Sequence, residues 1–92
     1  MNQINLIGRL TADPELRYTP NGTPVVTFRL AVRRNRKNQN GEYETDFIDC
    51  VAWQKSAEII ANNMNKGNIF GVSGRLQVRE YEYEGQRRRA YE

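Results

Sequence analysis

Phe47 and Trp53 stand six residues apart in a segment of alternating character, Tyr43 to Trp53. In an extended strand an even spacing puts both rings on one face. Asp49 and Val51 share that face; Ile48, Cys50 and Ala52 lie on the other. Burying an unpaired carboxylate is costly, so the face with Asp49 is the wetter one and carries two large rings. The same parity argument over Val26 to Val32 puts Val26, Phe28, Leu30 and Val32 in the core, and Thr27, Arg29, Ala31 and Arg33 outside. Over Asn68 to Glu84 it puts Phe70, Val72, Leu76 and Val78 inside, and Arg75, Gln77, Arg79 and Tyr81 outside. One outer surface therefore combines Phe47, Trp53 and Tyr81 with Arg29, Arg33, Arg75 and Arg79. Aromatic rings offer stacking partners to unpaired nucleobases, and guanidinium groups bind phosphate and also stack. A duplex hides its base faces, so such a surface prefers single strands. Arg34, Arg36 and Lys37 in a polar hairpin, and Arg87 to Arg89 near the C-terminal end, would extend an electrostatic track.

Other chemistry is poorly supported. The chain has no histidine and one cysteine, Cys50, which removes imidazole catalysis, imidazole metal sites, intrachain disulfides and thiolate zinc sites. A lone cysteine fits a reducing cytosol. Asp46 and Asp49 are three apart on a strand, hence on opposite faces. Asp13 and Glu15 flank a turn with no evident third ligand, and no phosphate-cradling glycine loop occurs. No enzymatic activity, cofactor or metal is expected. The 92 residues carry a net charge of +3, with eleven arginines against three lysines. That balance mildly favours phosphate and base contact, since arginine both forks and stacks. The N-terminal sequence lacks the pattern of a secretory signal, and no apolar run approaches a bilayer span.

These residues need elements to hold them. Gln3 to Leu10 alternates, with Ile4, Leu6, Gly8 and Leu10 on one face, and predicts a first strand bent at Gly8. Asp13-Pro14 and Pro20 to Pro24 are turns. Val26 to Arg33 predicts a second strand, Arg34 to Gly41 a hairpin ending in Asn40-Gly41, and Tyr43 to Trp53 a third strand. Ala57, Ile60, Ala61 and Met64 recur at helical spacing, which predicts a helix over Gln54 to Asn65 stopped by Gly67. Asn68 to Glu84 predicts a long fourth strand, and Gly85 turns the chain into a fifth strand, Gln86 to Glu92, that stops early. Three strands, a helix and two strands in one 92-residue domain describe an all-β, five-stranded Greek-key barrel of the OB type, with one α-helix between strands 3 and 4. An SH3-like barrel is the competitor, but it usually lacks a helix at that point.

INLIGRLTADPELRYTPNGTPVVTFRLAV, DFIDCVAWQKSAE and KGNIFGVSGRLQVREYEYEGQ together resemble the bacterial single-stranded DNA-binding protein family over essentially the whole chain. The resemblance implies an OB fold that binds single-stranded DNA without sequence preference, in replication, recombination and repair. It places Phe47, Trp53 and Tyr81 at aromatic stacking positions, and Lys55, Lys66 and Arg79 at positions that contact the nucleic-acid backbone. Arg36 stands where family members commonly carry Trp or Phe. The resemblance also implies a homotetramer built from dimers that pair through Gln3 to Leu10, and a cytoplasmic, nucleoid-associated protein with no membrane attachment. Family members complete the fifth strand and add a tail with an acidic tip. That tail is absent here, so truncation is expected, and no tail-mediated replication or repair partners are assigned.

Plainer readings stand beside these. Each arginine alone reads equally as an ordinary solvated residue of a strand. Phe47 and Trp53 would also suit a protein interface, as in an assembly adaptor with weak DNA binding. Tyr81, Tyr83 and Tyr91 would suit cross-strand pairs. Glu80, Glu82 and Glu84 oppose nucleic acid locally, and are expected to point away from it or to pair with Arg87 to Arg89. A metal-dependent nuclease is the third alternative.

Overall fold

A computed structural model describes residues 1–92. The elements run β1 (Ile4–Leu10), β2 (Glu15–Tyr18), β3 (Pro24–Lys37), β4 (Tyr43–Trp53), α1 (Gln54–Asn63), β5 (Ile69–Gly74), β6 (Val78–Tyr83) and β7 (Gln86–Tyr91). β3 is the spine. Its first half pairs with the short β2, from Glu15↔Thr27 to Tyr18↔Pro24. Its middle meets β1 at Arg9↔Ala31 and Leu10↔Leu30. Its opposite edge pairs with β4 from Val25↔Trp53 to Lys37↔Tyr43, with a register shift between Arg33 and Lys37. After α1 the chain returns as β5, antiparallel to β1 from Ile4↔Gly74 to Arg9↔Ile69. The helix falls between β4 and β5, an order consistent with an OB fold, although no ladder joins β4 to β5.

The core follows the alternation. Leu10, Val26 and Leu30 are fully buried, and Val26 clusters with Ala57 and Ile60 beneath Leu16, Phe28, Ala52 and Met64. The helix contributes Ala57 and Ile60 because residues three apart share a face. Gly8 lies where β1 crosses β3, and a Cβ there would sit 2.8 Å from the Ala31 carbonyl oxygen, so only glycine permits this approach.

Four expectations change. The strand expected to end at Arg33 runs from Pro24 to Lys37, so Arg34 to Lys37 belong to β3 rather than to the hairpin turn. The segment Glu15–Tyr18, between two turns, forms a strand of its own. The helix ends at Asn63, where Met64 becomes extended, two residues before the predicted Asn65. The predicted fourth strand is two strands. After Gly74 the ladder stops, and Asn2 takes over as a side-chain partner: its amide donates to the Leu76 carbonyl at 2.8 Å and its oxygen accepts from the Leu76 N–H at 2.9 Å. Beyond that point β6 and β7 form a separate two-stranded sheet. Leu76 and Val78 are consequently 43% and 51% exposed rather than in the core. Parity counted across a break carries no information, so Leu76 and Val78 leave the inward set of Phe70 and Val72. The seven strands are thus five in the barrel sheet and two in the hairpin.

Candidate nucleic-acid interface

Residues paired across an antiparallel ladder point to the same face. The β3–β4 register sets Ala31 opposite Phe47, Arg29 opposite Asp49, Thr27 opposite Val51 and Arg33 opposite Thr45. Arg29, Arg33, Phe47 and Trp53 therefore occupy one face, as their spacing predicted. Phe47 is 63% exposed and Trp53 53% exposed. Trp53 is held as the last residue of β4, immediately before Gln54 enters the helix with a positive φ of 56°. Six residues of strand separate the two rings by about 20 Å.

Asp49 explains the wet face. Its carboxylate accepts from Arg29 Nε at 2.8 Å, and both side chains remain exposed. The hydrogen bond, then the charge, of Asp49 raises the Arg29 pKa, keeping the guanidinium fully charged on this face.

The β6–β7 hairpin supplies the second wall. Its loop is Glu84-Gly85, both at positive φ, as a two-residue hairpin turn requires. Register places Arg79, Tyr81, Tyr83, Gln86, Arg88 and Ala90 on one face, and Glu80, Glu82, Arg87 and Arg89 on the other. Glu80 and Glu82 are thereby separated from Tyr81 and Tyr83, while Tyr91 shares the acidic face opposite Val78, and Glu80 lies 3.9 Å from Arg87 and 3.7 Å from Arg89. Arg79 sits 5.6 Å from the Tyr81 ring and is paired to Glu92. Between β4 and this hairpin lies a cleft of about 850 Å³, whose lining includes Arg29, Phe47, Asp49, Arg79, Tyr81 and Arg89. A second cleft, of about 390 Å³, includes Trp53 and Arg75.

The remaining basic residues are distributed more widely. Arg34, Arg36 and Lys37 line a polar depression on the β3–β4 arm together with Glu44. Within it Arg34 is already engaged: it donates to Asp46 at 3.0 Å through Nε and again through Nη2, and to Glu44 at 2.9 Å. Lys55 lies in the first turn of α1 and Lys66 just past its end, where the Lys66 N–H donates to Asp13 at 2.7 Å. Neither lines the two clefts. The sequence leaves Tyr43 unassigned and gives Tyr83 only a cross-strand pairing role. Both were accessible to parity: Tyr43 shares that of Phe47 and Trp53, and Tyr83 that of Tyr81.

The Arg34 cluster gives a pH prediction. The hydrogen bond from Arg34 holds the Asp46 carboxyl below its ordinary value. A depressed carboxyl pKa means that the pair stabilises the arm above the ordinary carboxylate range, and the contribution is lost as pH falls through the depressed folded value. Protection of the Arg34 and Asp46 amides, taken as exchange relative to the intrinsic rate at each pH, is expected to fall on acidification, and Asp46→Asn is expected to abolish that fall. An unchanged profile in Asp46→Asn would remove the pair from this role.

Residues 1–92 match a family profile described as the single-strand binding protein family. The chain is 59% identical over 88 residues to the single-stranded DNA-binding protein A of Bacillus subtilis, covering 95% of this chain and 51% of that protein. It is 61% identical over 82 residues to a single-stranded DNA-binding protein of Bacillus cereus, covering 89% and 48%. A single-stranded DNA-binding protein of Enterococcus faecalis is 57% identical over 88 residues, covering 95% and 47%. The chain spans about half the length of these curated relatives.

Proposed function

The chain belongs to the single-strand binding protein family, and from that premise we propose that it binds single-stranded DNA without sequence preference, stacking bases on Phe47, Trp53 and Tyr81 and holding phosphates with arginine and lysine. The observation that supports this reading most is the exposure of Phe47 and Trp53 on one strand face beside Arg29 and Arg33. Large rings left in water beside cations have a use when an unpaired base covers them. Arg75 and Arg79 flank the same clefts, and Arg36 and Lys37 would continue the phosphate path along the arm. Arg34 would join only by exchanging its carboxylates for phosphate, and Lys55 and Lys66 would serve a strand that wraps around the helix end.

The role is passive. Bound strands stay unpaired and shielded during replication, recombination and repair, and no bond is made or broken by the protein. The site would belong to a homotetramer whose dimers pair through Gln3 to Leu10. Supporting this, β1 is laddered to β3 only at Arg9 and Leu10, leaving the Ile4 to Ile7 edge without a partner on that side. Ile7 is also 72% exposed. No helix is long and apolar enough to cross a membrane; a cytoplasmic, nucleoid-associated location accords with the proposed ligand.

The test is a binding titration against oligo-dT and a matched duplex over a range of salt. Tight binding to oligo-dT, a strong preference over duplex, and a linear fall of log affinity with log salt are expected, because neutralised phosphates release counterions. Equal affinity for the duplex, or no salt dependence, would reject the proposal.

A further inference from the structure

Tyr43 begins β4, and its parity puts it on the face of Phe47 and Trp53, about 13 Å beyond Phe47 along the strand. The ring is 44% exposed. Two cations attend it: the Arg33 guanidinium carbon lies 4.7 Å from the ring centroid, and the Lys37 ammonium 5.7 Å. Both distances are within cation–π range. The register shift between Arg33 and Lys37 brings Lys37 opposite Tyr43, so one ring reaches both charges. Neither cation is spent on a carboxylate. Glu44 and Asp46, the acids of β4 within the arm, have the opposite parity and are taken by Arg34; Glu42, in the turn before β4, makes no ion pair. Along the paired strands charge is thus sorted by face: Glu44 and Asp46 answered behind, two cations unanswered around an exposed ring in front.

We infer that Tyr43, with Arg33 and Lys37, is a further nucleotide-binding unit, the ring stacking one base of a single strand while the two cations hold the adjoining phosphates. The inference rests on the single-strand reading above and extends its path onto the arm, where Arg36 offers no aromatic ring. An alternative use of the ring is structural: it could simply cover the aliphatic stems of Arg33 and Lys37.

The experiment compares wild type, Tyr43→Ala, Tyr43→Phe and Trp53→Ala in oligo-dT titrations across salt. It adds photocrosslinking of wild type to oligonucleotides carrying 5-iodouracil. Tyr43→Ala is expected to weaken binding about five-fold or more, the low end for one base–aromatic stack, with an unchanged salt slope. Tyr43→Phe is expected to bind like wild type, and a crosslink is expected at Tyr43. Wild-type affinity in Tyr43→Ala alongside a loss in Trp53→Ala would overturn this inference and leave the single-strand reading standing. A reduced salt slope in Tyr43→Ala would also overturn it, since the ring would then only position the cations. If Tyr43→Ala fails to fold, absence of the wild-type crosslink would overturn the inference and its presence would support it. Absence of oligo-dT binding by wild type would remove both readings together.

Discussion

The double substitution Phe47→Ala, Trp53→Ala is expected to cost about 2–6 kcal/mol of binding free energy for oligo-dT, from two stacks of about 1–3 kcal/mol each. The rings are about 20 Å apart along one strand, beyond the range at which substitutions usually couple, so the two losses should add. Both side chains are more than half exposed, and neither belongs to the buried cluster around Val26. The unfolding transition should therefore move little while affinity falls at least about thirty-fold. Paired equilibrium titrations and thermal melts check this. A matching loss of stability would mean that the rings cover a hidden core, and wild-type affinity in a folded double variant would remove them from the interface.

Leu30→Ala is expected to act in the opposite sense, on stability alone. Leu30 is 0% exposed, and it is one of only three large side chains buried completely. Truncating a buried leucine costs about 2–5 kcal/mol, because transfer free energy is lost and a cavity remains. Small domains have about 5–15 kcal/mol in total, and this core is minimal, so a large fraction of the protein's stability depends on the site. Urea unfolding should show a midpoint shift far larger than that of Leu76→Ala, whose side chain is 43% exposed. Equal shifts in the two variants would contradict both the burial of Leu30 and the correction that places Leu76 outside the core.

The two predictions separate cleanly because strand alternation separates the exposed aromatic face from the packing residues, and that much was legible in the residues. Asp49 marked the wet face of β4, and Arg29 answers it across the ladder. Ala57 and Ile60 marked the buried stripe of the helix. What escaped depends on contacts distant in sequence. Asn2 caps Leu76 from 74 positions away, and nothing in the alternation of Phe70 to Val78 announces that the chain leaves the sheet there. Glu15 to Tyr18 is too short for alternation to register, and it becomes a strand because β3 offers it an edge. Arg34 looked equivalent to Arg36 and Lys37, since composition shows charge but not which carboxylates face it. Tyr43 was within reach of the same parity that found Phe47.

The most direct measurement follows the fluorescence of Trp53, the only tryptophan, during titration with oligo-dT and with a matched duplex at low and high salt. Strong quenching by oligo-dT alone, weakened by salt, is the predicted result, since a base stacked on the indole changes its emission while paired bases have no free face to offer. Binding of oligo-dT with unchanged emission would contradict stacking on Trp53, and equal quenching by the duplex would contradict single-strand recognition itself.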